Sequence, residues 1–388
     1  MDNNLRDAML LCEACKGAIN SGCDFSRLSE DDLKKLYTNA RRHMLDAMVG
    51  KFLLKQGVVS AESEFGKEIK KNLDMVMYRM IVSDEETKEL ICYFERKGIW
   101  YVPLKGQILR QYYPQSYFRQ MSDYDFLYDG SFQKEIEQHL EKRGFIHEES
   151  SRIDQSFKKE AVHIELHRAL CTGTDDYVEM LEYYKKKSAQ FLLNDSSDGL
   201  KYRKKLSDND FYIYLVIHAY KHHTFMQGLG IRHIVDVYVF LRKMNSSLDF
   251  EYITNELRSV KAEDFERTIR HMAIKLFNHD EMIPLNEDEK RILLRMFNDG
   301  IYGNRVNLHQ YRIQKLLHEH GKINIADYIW SRVFPPKWQI EQIYGWAGRS
   351  PLYLMFGYVA RLITAGKTAR RFVNEIREVS EMMRQEKS

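Results

Sequence analysis

Met121-Ser122-Asp123-Tyr124-Asp125-Phe126-Leu127-Tyr128 is a run in which acidic and apolar residues alternate until Asp129-Gly130 marks a turn. Successive side chains of a strand point to opposite faces, so this spacing predicts a β-strand. Asp123 and Asp125 lie on one face, and Tyr124, Phe126 and Tyr128 on the other. Two carboxylates projecting side by side repel each other unless a cation neutralises them. Taken alone, an acidic pair on a strand also suits a solvated sheet face. The surroundings argue for more. Upstream, the short β-branched and aromatic run Ile99 to Leu104 reads as a strand released by Gly98. It enters a Lys105-Gly106 turn, after which Ile108, Leu109 and Tyr112 resume helical spacing, and a polar stretch ending in Arg119 follows. Downstream, Gln133 to Arg143 is predicted helical and closes at Gly144. Val162-His163-Ile164-Glu165-Leu166-His167 then alternates again, placing His163, Glu165 and His167 on one polar face.

Asp oxygens are hard ligands suited to Mg²⁺, or Mn²⁺ in its place, and such a site is normally completed by substrate phosphates. A nucleoside triphosphate fits that description. Two-metal phosphoryl and nucleotidyl transfer asks the protein chiefly to clamp the attacking and leaving oxygens in line. A third carboxylate beside the acceptor hydroxyl can take its proton, and Glu165 is the candidate. Lys105 and Arg119 are candidates for neutralising phosphate oxygens, and Gly106 permits close backbone approach. In the predicted helix from Ser207 to Gly228, His218 and His222 share a face at i, i+4 with Lys221 beside them. Ordinary inter-helix hydrogen bonding is the first reading of that face; the functional one turns it toward the nucleotide, with Lys221 as the nucleotide-binding candidate. Arg232 and Asp236, also at i, i+4, read as a helix-orienting ion pair.

Leu104-Lys105-Gly106, Tyr113-Pro114, Arg119, Met121 and Ser122-Asp123-Tyr124-Asp125-Phe126-Leu127 together resemble the signature of the uncharacterised nucleotidyltransferase family within the polymerase-β-type superfamily. Val162 to His167 is similar to that family's third-carboxylate strand. His218-Ala219-Tyr220-Lys221-His222 and Leu229-Gly230-Ile231-Arg232-His233-Ile234-Val235-Asp236 are similar to its helical-domain motifs. The likeness runs from about Leu36 to Tyr358. It implies a small mixed sheet flanked by helices, Mg²⁺ held by Asp123, Asp125 and Glu165, and transfer of a nucleoside monophosphate with release of pyrophosphate. Where the wider superfamily has a Gly-Ser or Gly-Gly turn, this chain has Lys105-Gly106-Gln107. That departure keeps a catalytically silent nucleotide-binding or scaffold protein as the alternative; a phosphohydrolase using the same carboxylates would differ in its products.

The rest of the chain sets the frame. A length of 388 residues with 44% hydrophobic and 30% charged side chains, and only 6 Pro, predicts an ordered, mainly helical protein of more than one module. The expected class is α+β: an N-terminal helical layer over 1–83, a nucleotidyltransferase core over 84–200, and a C-terminal helical region over 201–388. Within the first, Leu36, Met44, Met48, Phe52 and Leu53 recur at helical spacing, and a further helix is predicted from Ser83, with Asp84-Glu85-Glu86 in its first turn. Beyond about Lys201 strand signals fade, and the remainder reads as helices broken at Pro335-Pro336 and Pro351, with a charged tail from Arg370. The balance of 59 basic and 56 acidic residues offers no footprint for a long polyanion, so a small-molecule or protein acceptor is favoured over nucleic acid. Five cysteines, an odd number, argue for a reducing compartment, and Cys12 and Cys15 read as one helical face. With neither a signal peptide nor an apolar run long enough to span a bilayer, the expected location is the cytoplasm. Oligomeric state has no signature.

Overall fold

The computed structural model describes residues 3–148, 154–171, 178–187, 192–196, 198–225, 228–278 and 282–303, then 350–365 and scattered positions between 329 and 380. The breaks read at Pro335-Pro336 and the tail from Arg370 lie outside the described residues. Helix dominates, with one small mixed sheet at its centre, and the class is α+β.

Four helices open the chain: α1 (Asn3–Asn20), α2 (Glu30–Arg42), α3 (Asp46–Lys55) and α4 (Glu64–Lys97). Ser29 and Asp32 close a capping box on α2, Ser63 caps α4 by accepting from the Gly66 amide, and Gly98 ends α4 in the left-handed conformation that its missing Cβ allows. The separate helix expected from Ser83 does not exist; α4 runs through it without a break. Two of its three acidic residues, Asp84 and Glu86, make tertiary contacts instead of a helix start. Asp84 accepts from Arg110 at 2.6 Å and from the Tyr124 hydroxyl at 3.2 Å, while Glu86 pairs with Arg143 and Lys159. Cys12 and Cys15 are buried in α1, and burial pushes the Cys12 thiol up to about 12, so the pair is core.

The sheet has the order β1-β2-β5-β4-β3, from β1 (Tyr101–Pro103), β2 (Tyr124–Tyr128), β3 (Ile146–Glu148), β4 (Asp154–Lys159) and β5 (Val162–His167). A short helix α5 (Gly106–Leu109) follows β1, and α6 (Gln133–Lys142) follows β2. β2 and β5 pair in parallel and the other neighbours antiparallel. Tyr124, Phe126, Tyr128, Ile164 and Leu166 form one face and bury against Leu90 and Phe94 of α4 and Ile136 and Leu140 of α6. The alternation read from the sequence holds on both strands. The acidic face of β2 is nevertheless not solvated, for all five residues of that strand are buried.

The opposite face of the sheet meets the helices that follow. After α7 (Val178–Lys186), a hairpin of β6 (Leu193–Asp195) and β7 (Lys204–Leu206) falls where no strand was expected. Then come α8 (Asp208–Phe225), α9 (Arg232–Met244), α10 (Phe250–Arg258), α11 (Glu263–Phe277), α12 (Glu287–Asp299) and, further on, α13 (Pro351–Ala365). Ser207 caps α8 through the Asp210 amide, as its sequence suggests. α8 is buried on nearly every side, by Phe211, Tyr212, Ile213, Val216 and Ile217, and α9 packs on α11 and on α5. Among the described residues no helix is long and apolar enough to cross a membrane.

Candidate functional site

The parallel register of β2 and β5 sets Asp125 directly opposite Glu165, with Asp123 just before β2 on the same face. Ligand atoms of Asp125, Glu165 and His167 lie within 4.8 Å of one another, and so do those of Asp123, His163 and Glu165. Two candidate metal clusters thus share Glu165. Asp125 is fixed from both ends. Its carbonyl accepts from the Leu104 amide at 3.0 Å and from Gln107 Nε2 at 2.6 Å, so the Lys105-Gly106-Gln107 turn is stitched to β2. Its Oδ1 accepts from Lys105 Nζ at 2.7 Å and lies 2.8 Å from His167 Nε2. Lys105 adopts φ 47° and ψ −117° to reach it, a left-handed backbone that costs a non-glycine residue about 1–3 kcal/mol.

Electrostatics separates the three carboxyls. Burial alone would push Asp125 up, but the Lys105 ammonium and His167 outweigh it and hold Asp125 far below the usual carboxylate range. Asp123 is pushed up by burial and then by the charge of Asp125; Glu165 is pushed up by burial and then by both aspartates. Three carboxylates gathered around one ammonium leave an excess of negative charge, which a divalent cation would complement. The donor set of hard oxygens fits Mg²⁺ or Mn²⁺.

A cleft of about 420 Å³ opens over this face, and its far wall is built by α8 and α9. Lys105, Gly106 and Arg119 line it with the three carboxylates, as do His218, His222, Arg232 and His233. A Cβ on Gly106 would come within 2.7 Å of Met121 Sδ, so only glycine leaves that wall in place. Arg119 is buried and engaged: Nε donates to Asp236 Oδ1 at 2.6 Å, and the Tyr113 hydroxyl donates to the same oxygen at 2.7 Å. The expected Arg232–Asp236 pair is therefore replaced by Arg119–Asp236. Arg232 turns away instead, donating through a terminal nitrogen to the Gln120 carbonyl at 2.9 Å, a carbonyl that Arg119 also reaches at 2.8 Å. Arg232 Nε is buried with no partner among the described residues. Burial and then the charge of Arg119 push this guanidinium down to about 10, which marks a cation short of negative charge. His218 and His222 are held neutral, burial being the first cause, with Lys105 next for His218 and Lys221 for His222.

The structure thus gathers Lys105, Gly106, Arg119, Asp123, Asp125 and Glu165 around one cleft, while Lys221 is half-buried on α8 and does not line it. Sequence reasoning passed over Arg232 as a helix-orienting residue and left His233 without a role. The only signal for either was their place in the Leu229 to Asp236 motif. No curated protein and no solved structure matches the chain. A family model does, over residues 29–278, and that span contains every residue of the cleft named here. With the acidic strands, the turn and the α8–α9 wall all inside the match, the chain belongs to the uncharacterised nucleotidyltransferase family.

Proposed function

We propose that this protein transfers a nucleoside monophosphate from an NTP to an acceptor hydroxyl, with release of pyrophosphate, in a reaction that depends on Mg²⁺ or Mn²⁺. The carrying observation is the pairing of Asp125 with Glu165 across β2 and β5, beside Asp123, in a cleft whose opposite wall presents Arg232. In this reading the core of 84–200 supplies the carboxylates and the helical region beyond 201 supplies the anion-binding wall.

Asp123, Asp125 and Glu165 would hold the cation, which when bound supplies Lewis-acid activation and neutralises triphosphate charge. Arg232, with its unpartnered Nε, and Arg119 bind phosphate oxygens; guanidinium suits them because it donates in a planar fork. Lys105 keeps Asp125 ionised and adds its charge to the phosphate side of the cleft. Gly106 lets the triphosphate approach the turn. Glu165 accepts the proton of the acceptor hydroxyl. The hydroxyl oxygen bonds to the α-phosphorus, the bond from that phosphorus to the bridging oxygen of the β-phosphate breaks, and pyrophosphate leaves with the electron pair.

Calorimetry of each Mg–NTP against wild type and Asp123→Asn/Asp125→Asn tests this reading. Metal-dependent binding in the wild type, lost by at least about a hundredfold in the folded double variant, is expected. No binding of any NTP to the wild type would return the chain to the scaffold alternative.

A further inference from the structure

Behind the segment Arg119 to Ser122 lies a second cavity, of about 540 Å³, which shares Arg119, Met121, Ser122 and Tyr302 with the first cleft. Met44 near α3, Val76 and Met80 of α4, and Tyr117 and Tyr124 give it an apolar side, while Ser83, Gln120 and Ser122 add polar groups to the lining. His163 forms its inner end and is pinned there, with Nε2 2.5 Å from Ser156 Oγ. A nitrogen of the same imidazole lies within 4.8 Å of carboxylate oxygens of Asp123 and Glu165, so the cavity reaches the acidic cluster at its Asp123 end. At its rim stand Arg79, exposed and without an ion pair to any described residue, and Lys158, held loosely by Glu148 at 3.6 Å, with Glu160 between β4 and β5 as the acidic neighbour.

We infer that this cavity is the acceptor site, and that it takes a small molecule with an apolar or aromatic body, a hydroxyl directed to Glu165, and an anionic end at Arg79. The inference rests on the nucleotidyltransferase reading and divides its two substrates between the two cavities. The NTP occupies the cleft with the unsatisfied Arg232. The acceptor enters beside His163, so that its oxygen and the leaving pyrophosphate lie on opposite sides of the α-phosphorus, as in-line displacement requires. The volume falls in the range of about 300–1,000 Å³ typical of small-molecule sites, which combine apolar surface with a few placed polar groups. An RNA end would meet two cations and one carboxylate at the rim, with no continuing basic track, a poor footprint for a polyanion. A polypeptide acceptor would have to place one hydroxyl at the inner end while its backbone found amide partners along a lining where only Ser83, Gln120 and Ser122 offer neutral polar side chains besides the tyrosines.

The probe is a fluorescent hydroxynaphthalenesulfonate, which combines an aromatic body, a hydroxyl and one anionic group. It is titrated into wild type, Val76→Trp and Arg79→Glu, with and without saturating Mg–ATP, and Mg–ATP binding is measured separately by calorimetry. Saturable binding at one site is expected, weakened at least about tenfold by Val76→Trp, which fills the cavity, and about fivefold by the exposed Arg79→Glu. ATP affinity should stay within about twofold in both variants, and ATP should not displace the probe. Equal probe binding by wild type and both variants overturns the inference, as does displacement of the probe by ATP. So does binding lost only in Phe356→Asp, which would place the probe on the exposed apolar side of α13. Absence of ATP binding in the wild type, with the probe still bound in this cavity, would instead strike the reading of the first cleft and take the word acceptor with it.

Discussion

Replacing Asp236 by alanine removes the shared partner of Arg119 and Tyr113 from a place where almost no water reaches. Arg119 is 7% exposed and Asp236 6%. An arginine left buried without its carboxylate costs about 3–5 kcal/mol, and the Tyr113 hydroxyl, deprived of its acceptor, adds about 1 kcal/mol more. A loss of roughly 5 kcal/mol is a large share of the stability of an ordinary domain, about 5–15 kcal/mol. With a urea slope of about 3 kcal/mol/M it moves the midpoint down by about 1.7 M. Arg119→Met/Asp236→Ala should recover most of that loss, because both charges are then gone and the methionine fills the guanidinium's space. Urea titrations of the four proteins at pH 7.5 close the cycle, and the expected coupling is about 4 kcal/mol or more. A single variant costing under about 1 kcal/mol, or costs that simply add, would refute the argument that the pair ties the segment of Arg119 to α9. The double variant also separates structure from ligand binding. If Arg119 serves the triphosphate as well as the fold, stability returns while Mg–NTP affinity stays about tenfold reduced.

Arg232→Met should weaken Mg–NTP binding by about tenfold and leave thermal stability unchanged or raised, since it removes a buried charge with an unpartnered nitrogen; calorimetry and a melting curve report both. Gly106→Ala should cost about 1–2 kcal/mol, because the displaced neighbour is the flexible end of Met121, yet reduce NTP affinity severalfold as that side chain swings into the cleft, again read by calorimetry. His43 lies buried with Nδ1 accepting from the Ile231 amide at 3.2 Å, and burial and then Arg42 push its imidazole down to about 3. An unfolded histidine titrates near about 6.5, so the unfolded chain takes the proton first as pH falls. Its stabilisation is complete above that pH and is lost toward pH 3 at up to about 1.4 kcal/mol per unit. The urea midpoint between pH 6.5 and 4.5 should fall less steeply in His43→Gln than in wild type, with a residual slope from His222 and His223, both pushed down to about 4. Equal slopes would show that His43 is not the buried neutral base described.

Strands β2 and β5 were legible because polar and apolar residues alternate from Asp123 to Phe126 and from Val162 to His167, and one face of each is core. Their pairing was not, for parallel register is set by packing of the intervening elements and leaves no local mark. β3 and β4 stayed hidden for a simpler reason. Asp154-Gln155-Ser156-Phe157-Lys158-Lys159 carries one large apolar residue, and Ile146 to Glu148 is exposed throughout. The acidic trio after Ser83 satisfied the rule for a helix start, yet its partners come from Arg110, Tyr124, Arg143 and Lys159, which only the tertiary fold brings near. Local spacing likewise favoured Arg232 for Asp236, four residues away, over Arg119, which lies 117 residues distant and wins through a 2.6 Å contact. Lys105 was read as a phosphate ligand from its residue type; its positive φ and its hold on Asp125 are three-dimensional facts.

Helix α4 has a mechanical consequence. Its 34 residues make a rod of about 51 Å. Phe65, Ile69 and Leu73 anchor one end in the helical core, Leu90 and Phe94 anchor the other behind the sheet, and the stretch between flanks the second cavity. A beam clamped at both ends does not hinge at its middle without breaking backbone hydrogen bonds. The sheet and the N-terminal helices are thereby held at a set distance, and the outer wall of that cavity behaves as a fixed jaw. Another wall of that cavity is the turn between β4 and β5, from Lys158 to His163, where Glu160 holds a positive φ of 50°.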